Sequence, residues 1–131
     1  MYVPIYYKWY ELVPNKKYQN YWLILMDERI LITLDEIRKY YGRPVTVNNW
    51  YWGGKFNSRG WREPFDPDGA ELSQHKFGRA VDFTIAGISA ETIRNDIRRG
   101  LFPLITCIEK DVSWVHIDVR NVKRLLEISG K

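Results

Sequence analysis

The sequence predicts a single α+β domain, in which a small antiparallel sheet carries helices on one face and a functional cleft on the other. Three observations predict it. Two segments, Asp27 to Gly42 and Ser89 to Gly100, place apolar residues at helical spacing. Three others, Arg79 to Ile85, Ile105 to Glu109 and Ser113 to Val119, read as half-buried strands. Finally, 131 residues, 45% of them hydrophobic, suffice for one core, and no repeat, low-complexity tract or linker divides residues 1–131 into smaller units.

Taken in order, Asp27 caps a helix whose inward stripe is Ile30, Leu31, Leu34, Ile37 and Tyr41. Arg38 and Lys39 fall late, where cations suit the helix dipole, and Gly42 is the stop. Pro44 to Asn48 reads as a short strand, because β-branched residues follow a proline that would break a helix. From Asn49 to Leu72 the chain is rich in Gly, Pro, Asp and Trp without a sustained period, which predicts a long ordered loop of the kind that usually carries function. Arg79 to Ile85 then alternates, with Val81, Phe83 and Ile85 on one face and Ala80, Asp82 and Thr84 on the other. Ser89 caps a second helix running through Arg99, with Ile93 and Ile97 inward. Two strands joined by Lys110-Asp111-Val112 follow. In the second, Val115, Ile117 and Val119 face the core, leaving Trp114, His116, Asp118 and Arg120 on the opposite face. The tail from Val122 to Ile128 reads as a short helix or a loose end.

Composition narrows the function classes. Cys107 is the only cysteine, so an internal disulfide and a cysteine-based zinc site are excluded, and the residue reads as a small buried hydrophobe. The net charge of +4 comes from Lys and Arg interspersed with Asp and Glu, so it marks no nucleic-acid patch. No apolar run is long enough to cross a membrane, and the first residues lack the apolar core of a signal peptide. The expectation is a monomer without membrane insertion, made in the cytoplasm.

The chemistry-bearing residues are few. The chain has only two histidines, in Ser73-Gln-His75-Lys-Phe-Gly78-Arg-Ala-Val-Asp82 and in Trp114-Val-His116-Ile-Asp118. A catalytic zinc site takes three protein ligands and keeps one position for water, and two His plus one Asp complete that set. Gly78 turns the chain so that His75 folds back beside the strand bearing Asp82, and an antiparallel neighbour roughly 5 Å away would bring His116 to the same point. A lone histidine is more often a satisfied polar residue than a ligand. Here both fall beside carboxylates on strand faces turned from the core, which favours a metal.

These paired motifs, Ser73-x-His75-x-x-Gly78-x-Ala80-x-Asp82 and Trp114-x-His116-x-Asp118, resemble the signature of the M15 peptidases. That family includes D-alanyl-D-alanine carboxypeptidases and dipeptidases and the phage endolysins that cut peptidoglycan peptides. The resemblance runs from about Glu11 to Arg120, is closest to the compact phage and bacterial branch, and includes Val45 to Gly54 as an upstream segment. It implies a hedgehog/D-Ala-D-Ala peptidase-like fold and a Zn2+ ion held by His75, Asp82 and His116. It also implies a peptidoglycan peptide substrate, reached at the cell wall or periplasm after release.

The resemblance leaves the general base open, because many members carry a glutamate three residues before the last histidine, where this chain has Ser113. Glu109 is the candidate, and hairpin register decides it. A two-residue turn pairs Glu109 with Val112 and leaves it roughly 13 Å from His116 along the strand. A four-residue loop from Lys110 to Ser113 pairs it with Trp114, making His116 a diagonal neighbour at roughly 7 to 8 Å. The second register is the one expected. Asp118 is the runner-up base, better suited to orienting a ligand or an arginine. Arg59, with Arg62 as the other choice, is expected to hold a substrate carboxylate, and Ser73 to bond the substrate or form the turn. Trp114 suits a pocket wall. Trp50, Tyr51 and Trp52 fit either a contact surface or, more readily, aromatic packing. Two rival readings are a zinc-binding module without hydrolysis and a phage structural or adhesion domain of the same fold.

Overall fold

The structure, a computed structural model, describes residues 1–131. Two one-turn helices, α1 (Trp9–Leu12) and α2 (Trp22–Leu25), precede the long helix α3 (Glu28–Tyr41). The caps of α3 are the expected ones: the Asp27 side chain accepts from the Arg29 amide, and Gly42 closes the helix in the left-handed region. Ile30, Leu31, Leu34 and Ile37 are all buried along its inner stripe. Helix α4 (Ala90–Arg98) starts from Ser89, whose hydroxyl accepts from the Thr92 amide, and it buries Ile93 and Ile97. It also buries Arg94, which hydrophobic periodicity alone does not foretell.

The sheet has five strands in the order β1 (Val45–Thr46), β2 (Ala80–Ile85), β4 (Val115–Asp118), β3 (Cys107–Lys110), β5 (Leu126–Ser129). The first three pairings are antiparallel, but β5 runs parallel to β3, so the sheet is mixed where an antiparallel one was expected. The tail is therefore neither helix nor loose end. Leu126 N–H donates to Thr106 O and Gly130 N–H to Lys110 O, both at 2.9 Å. A parallel edge strand is specified by a partner distant in sequence, and this short tail carries too few alternations to announce one.

Register places the site residues. Asp82 lies directly opposite His116 across β2 and β4. Between β3 and β4 the pairs are Cys107 with Asp118 and Ile108 with Ile117, so the next step sets Glu109 opposite His116. The loop is four residues long, as expected, but begins one residue later, after Lys110. The register accordingly differs from both sequence-based alternatives and brings Glu109 closer to His116 than either. Asp111, at φ 68°, is the only non-glycine residue in the left-handed region and turns this hairpin.

Val81, Phe83, Ile108, Val115 and Ile117 face α3 and α4 in one continuous core. The other sheet face is roofed by the segment from Asn49 to Arg79. The same segment also runs along the edge of β2, where Asp82 N–H donates to Arg59 O at 2.8 Å, and Val119 N–H to Arg79 O at 3.0 Å continues the β2–β4 ladder beyond the strand end. Gly78, at φ 70°, lies so close to the Leu25 carbonyl that a Cβ there would collide with it, which fixes the turn between His75 and β2. No helix is long and apolar enough to cross a membrane.

Candidate metal centre

His75 enters the site from a one-turn 3-10 helix (Gln74–Phe77), whose N-cap is Ser73: the Ser73 hydroxyl accepts from the His75 amide at 3.3 Å. Asp82 rises from β2 and His116 from β4. All three are buried, and their ligating atoms lie within 4.8 Å of one another. His75 Nε2 stands 3.3 Å and His116 Nδ1 2.8 Å from the same carboxylate oxygen, Asp82 Oδ1.

The other ring nitrogens decide what these donors can do. His75 Nδ1 lies 3.0 Å from the Gly60 carbonyl, which can only accept, so Nδ1 donates to it and Nε2 is the ring atom turned toward Asp82. His116 Nε2 lies 2.8 Å from Asp118 Oδ2, so His116 has a carboxylate at each nitrogen. Burial by itself would lower the pKa of His116, but hydrogen bonds to Asp118 and Asp82 and the charge of Asp82 outweigh it and raise it to about 9. Burial would likewise raise Asp82, yet the neighbouring imidazoles hold it well below the usual carboxylate range. Two imidazole nitrogens and a carboxylate oxygen meet at one point, where a metal cation can take the place of the ring protons. A divalent metal fits this donor set, and a carboxylate or carbonyl behind each ring is the outer-shell arrangement that orients metal-binding histidines.

Around the cluster lies a cavity of about 680 Å³, whose lining includes Arg62, Ser73, Glu109, Trp114 and Arg120. The Glu109 carboxylate approaches to 3.8 Å from His116 Nδ1. Asp118 is fully buried and grips Arg120 as well, at 2.6 and 2.8 Å, which places it behind His116, away from the donors' meeting point. Of the two arginines weighed from the sequence, it is Arg62 that reaches the cavity. Its Nη2 lies 3.4 Å from Asp82 Oδ2 and its Nε donates to Ser58 O at 2.6 Å. The Arg59 guanidinium instead lies 3.7 Å over the Phe56 ring and is not part of the cavity lining. Trp50 is tied into aromatic packing through Nε1 and Val13 O at 2.8 Å, while Tyr51 stacks on Tyr10 at 4.1 Å and Trp52 is exposed.

Residues 18–118, which include His75, Asp82, Glu109, His116 and Asp118, match the family model described as Peptidase M15. The chain belongs to the peptidase M15 family. Neither curated proteins nor solved structures give a match. In this M15 chain several parts of the site had no signal in the motifs. The Gly60 carbonyl is a backbone group, and its position depends on a close approach to the Leu12 carbonyl that leaves no room for a Cβ, a long-range contact no motif announces. Ile128 of β5 and Gly130 just beyond it, which wall the cavity, follow from a strand pairing the sequence did not announce.

Proposed function

We propose that this peptidase-family protein is a zinc enzyme that hydrolyses peptide bonds in the stem or cross-link peptides of peptidoglycan. The observation that carries the reading is the convergence of His75, Asp82 and His116 on one point, with the carboxylate of Glu109 beside it. Zinc is the metal best suited to two imidazoles and one carboxylate, and when bound it supplies Lewis acidity that lowers the pKa of a water and polarises a carbonyl.

The chain's own residues do the rest. Glu109 accepts a proton from the attacking water as the oxygen–carbon bond forms, and returns it to the amine nitrogen as the carbon–nitrogen bond breaks. Asp118 and the Gly60 carbonyl hold the two imidazoles in the orientation that aims Nδ1 of His116 and Nε2 of His75 inward. Arg62, held by Ser58 O and facing Asp82, offers its planar fork to a substrate carboxylate. Ser73 serves the turn that presents His75. The approach of Glu109 to His116 favours hydrolysis over a zinc-binding module without it.

The test is digestion of purified peptidoglycan by the full chain, with and without a zinc chelator, followed by mass analysis of the fragments. The expected result is peptide-bond cleavage that the chelator abolishes and added zinc restores. Absence of chelator-sensitive cleavage on every wall type tried would overturn the reading.

A further inference from the structure

Arg94 is a charged residue only 6% exposed on α4, and its partners are unusual. Its Nη1 donates to Trp114 O at 3.1 Å and Glu109 O at 3.4 Å, and its Nη2 to Val112 O at 3.1 Å. Its Nε donates to Glu91 Oε1 at 2.7 Å. One guanidinium therefore collects three carbonyls from the β3–β4 hairpin. Two of them belong to Glu109 and Trp114, whose side chains line the cavity together with His116.

Packing alone does not ask for this residue. The flank of α4 beside Ile93 and Ile97 would be filled by leucine or methionine, and burying a charge is costly unless every donor is used. What arginine adds is a rigid planar set of donors that can grip several carbonyls at fixed angles, which lysine cannot reproduce. The hairpin needs such a grip, since its turn passes through Asp111 in the left-handed region, a conformation that L side chains resist. On the far side of Glu109 the restraint is steric: a Cβ on Gly130 would lie 2.9 Å from Glu109 Oε1 and 2.7 Å from Val112 Cγ1.

We propose that Arg94 is a positioning residue for the reaction, fixing the hairpin so that the Glu109 carboxylate and Trp114 stand at their places beside His116. The proposal rests on the reading of Glu109 as the proton carrier. Arg94 touches neither substrate nor metal and acts only through the loop it holds.

The experiment compares zinc-loaded wild type, Arg94→Ala, Arg94→Lys and Glu109→Gln in the full chain. It measures bound zinc, kcat and KM on a wall-peptide fragment that wild type cleaves, and hydrogen exchange of residues 109–115 against residues 80–85. Arg94→Ala is expected to bind one zinc per chain, to lose roughly ten- to hundredfold in kcat with KM changed less than about threefold, and to exchange faster only in 109–115. Added guanidinium ion is expected to restore part of kcat, and Arg94→Lys to fall between. A folded Arg94→Ala or Arg94→Lys with wild-type kcat and wild-type exchange overturns the proposal. Loss of fold in both also overturns it, because the arginine then serves the whole domain. Glu109→Gln separates the two readings. Wild-type cleavage by that variant refutes the base, and with it the proposal; an inactive Glu109→Gln beside fully active Arg94 variants refutes the positioning role alone.

Discussion

At the scale of the residue, the central object is an imidazole held between two carboxylates. His116 meets Asp82 at one nitrogen and Asp118 at the other, each at 2.8 Å, and is itself buried. The negative surroundings that raise its pKa also favour a metal cation at Nδ1. Asp118 is held down to about 2 against burial by its hydrogen bonds to His116 and Arg120, so it stays an anion throughout the neutral range. Asp118→Asn keeps the shape and removes this charge. We expect zinc affinity to drop by about 10- to 100-fold with the fold intact, measured by titration against a competing chelator. The ligands were legible in the sequence because strand alternation fixes which side chains share a face. Arg94 was not: on a helix, a charge beside the apolar stripe looks the same whether it points to water or to buried carbonyls.

At the scale of the element, the long helix α3 shows how polar residues anchor a segment that hydrophobic periodicity leaves unexplained. Asp35, on α3 and only 6% exposed, accepts from the Tyr2 hydroxyl at 2.5 Å, the Ile5 amide at 2.8 Å and the Tyr6 amide at 3.1 Å. This single carboxylate ties the N-terminal arm to the core. Asp35→Ala leaves three donors without their acceptor, and we expect a loss of about 2 to 3 kcal/mol, read from the midpoint of urea unfolding at unchanged slope. Asp27, Gly42 and Ser89 declared the helices because caps are local chemistry. The hairpin register and the β5 pairing are non-local choices. Loop length was legible, but its start depended on Asp111 taking a left-handed turn and on Arg94 gathering the carbonyls behind it. That one-residue shift moved Glu109 from a diagonal position to one directly facing His116.

At the scale of the whole molecule, the sheet divides labour between its faces. One packs Phe83, Val115 and Ile117 against α3 and α4, and the other carries Asp82, His116 and Asp118 beneath a roof of irregular chain. The long loop from Asn49 to Leu72, read as functional from composition, supplies the Gly60 carbonyl and Arg62, and His75 comes from the turn that follows it. The parallel strand β5 and the residue after it close the cavity with Ile128 and Gly130, and β5 is held by the Arg98 guanidinium, whose Nη2 reaches Glu127 at 2.8 Å. A fold organised this way predicts that metal binding and proton transfer are separable. The direct test is to measure zinc content and cleavage of a wall peptide for Glu109→Gln beside wild type and His116→Ala. We expect one zinc per chain in wild type and Glu109→Gln, with cleavage by Glu109→Gln reduced about 10²- to 10⁴-fold, and neither zinc nor cleavage in His116→Ala. Wild-type cleavage by Glu109→Gln, or by His116→Ala stripped of metal, would contradict it.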